Sequence, residues 1–134
     1  MLSQKSNLKN QKHNSNIKNE FRERCYNYSI SIIKLVDSLP ERQSIRTLSN
    51  QLIRSATSVG ANIIEAKSAS SKRDYVKYFE ISLKSANETK YWLGLLRDAL
   101  GADKIKINKL LKETTELANI LAASILTMKG KTNF

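Results

Sequence analysis

The chain has 134 residues, a length that suits one domain, and with one Pro and four Gly it leaves little scope for a loop-rich fold. Its 23 basic and 12 acidic residues give a formal charge of +11, a balance that favours nucleic acid, anionic lipid or acidic protein surfaces as partners, although Lys and Asn are abundant throughout and composition alone supplies part of it. The single cysteine excludes an intrachain disulfide, and no apolar run approaches the ~18 residues of a membrane span or forms a signal-peptide core, so a cytoplasmic protein is expected.

Residues 1–16 carry Lys5, Lys9 and Lys12, no acidic residue, and only Met1, Leu2 and Leu8 as apolar groups. Such a segment buries too little to offset its ordering entropy, and a disordered basic tail is expected. From about Ile17 a helical period begins. Phe21, Cys25, Tyr28, Ile32, Leu35 and Leu39 alternate in steps of four and three until Pro40 stops the helix by restraining the residue before it. Cys25 falls on this stripe, where a small buried hydrophobe is expected rather than a reactive thiol.

A second pattern runs Ile45, Leu48, Leu52, Ser55, Val59, Asn62, Ala66, broadened by Ile53, Ala56, Ile63 and Ile64. Gly60 in its middle costs roughly 1 kcal/mol relative to Ala, which points to close approach of another backbone. Ser71 and Asp74 have the spacing of a capping box and open a third helix, with Tyr75, Phe79, Leu83, Ala86, Leu93 and Leu96 on one stripe. Gly101 is placed as a left-handed stop. Asp103 can cap a fourth helix carrying Ile107, Leu110, Leu111, Leu117, Leu121, Ile125 and Met128, which Gly130 is expected to end, leaving a short basic tail over 130–134. Four amphipathic helices over 17–129, joined by short connections and with no strand pattern, predict an all-α, antiparallel up-down-up-down four-helix bundle. Helices two and three carry apolar or small residues on more than one face, which predicts a homo-oligomer.

Polar groups interrupt the stripes. The hydroxyls of Ser55 and Ser58, the amide of Asn62 and the carboxylates of Glu65 and Glu88 lie on or beside them. A buried polar group is costly unless paired, so these residues are expected to make a specific helix–helix contact. Catalysis finds no support. The only histidine, His13, lies in the expected tail, so a di-iron bundle, a Ser-His-Asp triad and a Cys-His pair all lack a positioned imidazole. Glu65 and Glu88 alone make a poor transition-metal site. No metal, no cofactor and no enzymatic activity are expected.

Positive charge is then the remaining functional signal. Net charge is +4 over residues 1–24, +1 over 25–50, +2 over 51–74, +1 over 75–100 and +3 over 101–134. Lys67, Lys72, Arg73 and Lys77 cluster around the turn between helices two and three, while Glu80 interrupts the face shared by Arg73, Lys77 and Lys84 and can pair with Lys84. Clustered cations suffice for phosphate binding. Tyr75, Tyr78 and Phe79 adjoin them and could stack on unpaired bases, although at helical spacing they read first as core.

These residues carry a resemblance. Gln51-Leu52-x-Arg54-Ser55-Ala56-x-Ser58-Val59-x-Ala61-Asn62-Ile63-x-Glu65-Ala66, with Leu39-Pro40 before it and Ser85-Ala86-x-Glu88-x-x-x-Trp92-Leu93 after it, resembles the four-helix-bundle family named for proteins encoded in intervening sequences of bacterial large-subunit ribosomal RNA genes. Many members have Gly where this chain has Ala66, which reads as a subgroup trait. The resemblance implies an antiparallel bundle that assembles into a ring, typically a pentamer, without assigned enzymatic activity. It also implies kinship with the accessory variability protein of diversity-generating retroelements, a basic pentamer that binds nucleic acid and its reverse transcriptase. The expectation is a non-enzymatic bundle binding structured RNA or RNA–DNA through Lys67, Lys72, Arg73 and Lys77, assisted by the tail lysines. Ser55, Ser58, Asn62, Glu65, Glu88 and Trp92 would hold helices and subunits in register. The alternative is a protein-interaction scaffold or accessory subunit for a reverse transcriptase.

Overall fold

The computed structural model describes residues 2–101 and 103–132, with side chains over 16–101 and 103–130. Four helices follow one another: α1 (Leu2–Asp37), α2 (Gln43–Ala66), α3 (Lys72–Leu100) and α4 (Lys104–Thr132). Among the described residues there is no strand. Each helix packs against its neighbours in sequence, and α1 closes the circuit by touching α4, the sparsest of the four seams. This is an all-α bundle whose short turns force antiparallel neighbours.

The stops are those the local chemistry dictates. Leu39-Pro40 follows the end of α1, and Gly101 takes the left-handed conformation (φ 66°), returning its N–H to the Arg97 carbonyl. Ser71 caps α3 by accepting from the Asp74 N–H at 3.1 Å, while the Asp74 carboxylate meets the Ser70 hydroxyl. Three boundaries differ from expectation. The backbone of the segment read as a disordered tail is helical back to Leu2, because residues 1–39 contain neither Gly nor Pro to interrupt propagation from the packed part of α1. The side chains of Lys5, Lys9, Lys12 and His13 lie outside the described residues. At the other end α4 runs through Gly130 to Thr132, since an isolated Gly weakens a helix without ending it. Asp103 precedes α4 with φ 55°, and its carbonyl rather than its side chain accepts from Ile107.

The core joins the four stripes. Cys25, Tyr28, Ile32 and Leu35 of α1 meet Leu52, Ala56, Val59 and Ile63 of α2, Ala86, Leu93 and Leu96 of α3, and Ile107, Leu117 and Leu121 of α4. Each fully buried Leu or Ile contributes about 1.5–3 kcal/mol. At Gly60 α2 approaches α1 tightly: a Cβ there would stand 3.3 Å from the Cβ of Cys25 and 3.7 Å from its carbonyl. On α3 and α4 the interior is more polar than the apolar stripes predict. Ser82, Thr89 and Thr114 are buried, whereas Tyr75, Phe79, Leu83, Leu110 and Leu111 are only half-buried. A small hydroxyl can return its proton to its own helix, so it occupies a close helix contact at lower cost than its polarity suggests.

Candidate nucleic-acid interface

The polar residues singled out in α2 and α3 form a seam. Ser55 is fully buried and lies 2.9 Å from the Thr89 hydroxyl; its own proton goes to the Leu52 carbonyl. Ser58 accepts from Ser85 at 3.0 Å and from the Asn62 amide at 2.9 Å, and Ser82 donates to the Val59 carbonyl at 2.8 Å. Glu88 is held at the edge by Arg54, whose Nη2 lies 2.8 and 2.9 Å from its two oxygens. Trp92 packs on the core and edge-on against Tyr91, with its indole N–H buried and without a partner among the described residues. Glu65 is exposed, outside the seam. Neither carboxylate is interior: of the two expected on or beside the stripes, Glu88 stands at the rim of the seam and Glu65 outside it, because the helical angle carries it past the contact face. Among the described residues no group of three His, Cys, Asp or Glu side chains is placed to hold a metal, and no helix is long and apolar enough to cross a membrane.

The predicted cationic residues stand at one end of the bundle. Lys67 follows the last turn of α2, Lys72 and Arg73 open α3, and Lys77 lies a turn further on; all four are exposed. Cations in the first turn of a helix oppose its macrodipole by about 0.3–1 kcal/mol each, so helix stability does not account for Lys72 and Arg73. Packing adds what sequence order hid. Lys18 of α1 sits 5.8 Å from the centre of the Tyr75 ring, within cation–π range, and the Arg22 charge lies close enough to oppose the upward shift that burial imposes on the Tyr75 phenol. Among the described residues none of these six cations is in an ion pair. Glu80 pairs with Lys129 of α4 at 3.3 Å, not with Lys84 as helical spacing suggested, because α4 brings a cation within reach. Tyr75 and Phe79 stack on each other at 5.0 Å, half-buried, which commits these rings to packing.

A second basic region escaped the sequence reading. The seam between α1 and α4 is open, a groove of about 640 Å³ lined by Lys34 on one side and Lys106, Lys109 and Lys112 on the other. Its two carboxylates, Glu113 and Glu116, are both held by Arg24 of α1, at 2.5 and 2.6 Å from Nη2, with Nε 3.0 Å from the second Glu113 oxygen. The hydrogen bond to Glu113 is the largest influence raising the Arg24 pKa above its ordinary value, against desolvation. Beneath the clamp, the Thr114 hydroxyl gives its proton to the Leu110 carbonyl, which leaves the Tyr28 phenol as donor to Thr114 at 2.5 Å. The signal for this groove was the row Lys104-x-Lys106-x-x-Lys109-x-x-Lys112 at helical spacing, but its facing element is about seventy residues away. Cys25, just inside the clamp, is fully buried, and desolvation pushes its thiol up to about 12, so it packs and does not react.

Four helices in sequence-neighbour packing, with exposed cations at both ends, define the class as a small basic four-helix bundle. More narrowly, the chain belongs to the 23S rRNA-intervening sequence protein family, whose profile matches residues 17–123. It is similar to a solved structure from Bacteroides thetaiotaomicron VPI-5482, a protein of unknown function from the S23 ribosomal protein family: identity is 33%, the TM-score is 0.73, and the match covers 78% of this chain and 97% of that one. No curated protein matches the chain significantly.

Proposed function

We propose that the protein is a non-enzymatic RNA-binding bundle that acts in the cytoplasm as a homo-oligomeric ring, a pentamer by the family resemblance. One observation carries the reading: six cations from α1, the α2–α3 turn and α3, namely Lys18, Arg22, Lys67, Lys72, Arg73 and Lys77, stand at one end without an ion-paired carboxylate among the described residues. Phosphate backbones are recognised by such clusters without any base-reading side chain. The family's name, taken from an intervening sequence in 23S rRNA, supports RNA over other polyanions. Ring assembly is supported by apolar side chains that the single chain leaves in water: Ile64 is 51% exposed and Tyr91 62% exposed on α2 and α3. The same side chains support the second reading, an accessory subunit that docks on a reverse transcriptase of a diversity-generating retroelement.

Fluorescence-anisotropy titration with a structured RNA and a duplex DNA at two salt concentrations, with mass measured in parallel, separates the readings. Submicromolar, salt-sensitive binding by a defined oligomer is the expected result. Arg73→Glu/Lys77→Glu should weaken it and lower the slope of log K against log salt by about one per lost contact. Weak and equal binding to every nucleic acid would reject the RNA reading and favour a protein partner.

A further inference from the structure

We propose that the open seam between α1 and α4 is a second phosphate-binding groove for RNA, kept charged by Arg24; this rests on the RNA reading above and adds a site to it. The groove holds four lysines and two carboxylates. Helical spacing would neutralise it, because Lys109 and Glu113 are four residues apart, as are Lys112 and Glu116, and such pairs attract on a helix surface. They are not paired here. Arg24 draws both carboxylates to itself, and among the described residues Lys34, Lys106, Lys109 and Lys112 have no ion pair. Arg24 therefore acts as a positioning residue: it converts two local salt bridges into one clamp across the seam and leaves the ammonium groups available.

The rest of the geometry fits a polyanion. Lys106 falls in the first turn of α4, which contains no acidic residue, so it opposes the helix dipole and does not serve helix stability, whereas Lys34 lies in the last turn of α1, where a cation is favourable. Lys106 and Lys112 are separated by about 9 Å along the axis, a reach of more than one phosphate on an extended strand, and Lys34 faces them from α1. Glu113 and Glu116, held at one end, leave the lysine half of the groove as the entry for a backbone. This groove lies toward the Gly101 turn, whereas Lys67, Lys72, Arg73 and Lys77 lie at the other end of α3, a helix roughly 43 Å long. A structured RNA can thus meet one subunit at two separated points.

The test compares the full chain with four variants by anisotropy against an RNA hairpin, with circular dichroism and mass recorded for each. Lys106→Glu/Lys109→Glu should weaken binding about tenfold or more and reduce the salt slope by about two. Arg24→Gln should also weaken binding, by letting Glu113 and Glu116 swing to Lys109 and Lys112. Adding Glu113→Gln/Glu116→Gln to Arg24→Gln should restore it, and circular dichroism and mass unchanged in Arg24→Gln itself show that lost structure is not the cause of its weaker binding. Should the charge reversal unfold the chain, Lys106→Gln/Lys109→Gln takes its place. If the unchanged protein binds and Arg73→Glu/Lys77→Glu weakens it while the groove variants bind normally, the groove is overturned and the RNA reading stands. If the unchanged protein binds no RNA, both fall.

Discussion

The α2–α3 seam and the α1–α4 seam are built on the same pairing of antiparallel helices and reach opposite results. Between α2 and α3 the facing side chains are small: Ser55, Ala56, Val59, Ser82, Ala86 and Thr89, all buried. Hydroxyls there find partners within 3.2 Å on the same or the facing helix. Between α1 and α4 the facing side chains are long and charged, and the helices are tied at Tyr28–Thr114 and Arg24–Glu113–Glu116 while the remainder stays open to water. Small residues permit backbone approach and dispersion contact. Lysines demand hydration of their heads, so a seam lined by them cannot close. One seam holds the fold; the other offers a surface.

Adding bulk should expose that difference most strongly. Ala86→Leu places three extra carbons in a site with no exposure and is expected to cost about 3 kcal/mol, whereas Ser31→Leu in the open seam should cost under about 0.5 kcal/mol; urea denaturation of the two variants checks the contrast. Equal losses would mean that the α1–α4 seam is closed in solution.

Alkali should attack the inner face of α1 next. The Cys25 thiol titrates near 9.0 when unfolded and about 12 when folded, and the Tyr28 phenol is likewise raised by burial. Above pH 9 the unfolded chain releases a proton that the folded chain keeps, so the contribution is intact below pH 9 and is lost as pH rises toward 12. Each raised group removes up to about 1.4 kcal/mol per pH unit. Melting temperature should fall above pH 9, and Cys25→Ala should delay the onset to the range of the tyrosine.

Two hydroxyls in α2 should respond with opposite signs. Ser55→Ala removes a paired hydroxyl from the tight seam and should cost about 1 kcal/mol, while Ser49→Ala removes a buried hydroxyl that has no partner among the described residues and should stabilise by up to about 1 kcal/mol. Differential scanning calorimetry would show Tm moving down in one and up in the other. Smallest of all, Arg54→Gln at the edge of the seam should shift stability by no more than about 0.5 kcal/mol, because the pair it makes with Glu88 is 58% and 38% exposed. A larger loss would place that pair inside an oligomer contact.

Much of the bundle is legible in the chain itself. The stripe of α1 from Cys25 to Leu39, the stop at Pro40, the Ser71 cap, the Gly101 turn and the close approach at Gly60 all follow from local rules that need no distant partner. The stripes of α3 and α4 were read less well, since Val76, Ser82, Thr89 and Thr114 take interior positions that apolar periodicity assigns to larger neighbours. The candidate site divides in the same way. Lys67, Lys72, Arg73 and Lys77 are near one another in sequence and could be grouped by eye. Lys18 and Arg22 joined them only when α1 was laid beside the start of α3.

The sequence by itself determined what depends on neighbours within a few residues: four helices, their apolar faces, the caps and turns, and a net positive charge. Tertiary structure alone decided which charges stay free. Lys109 and Lys112 have carboxylates one helical turn away, and a chain read in one dimension would pair them. Arg24, eighty-nine residues before Glu113, takes those carboxylates instead, with a donor geometry that a single lysine cannot match. Coulomb interactions are set by distance in space, and only the fold supplies that distance.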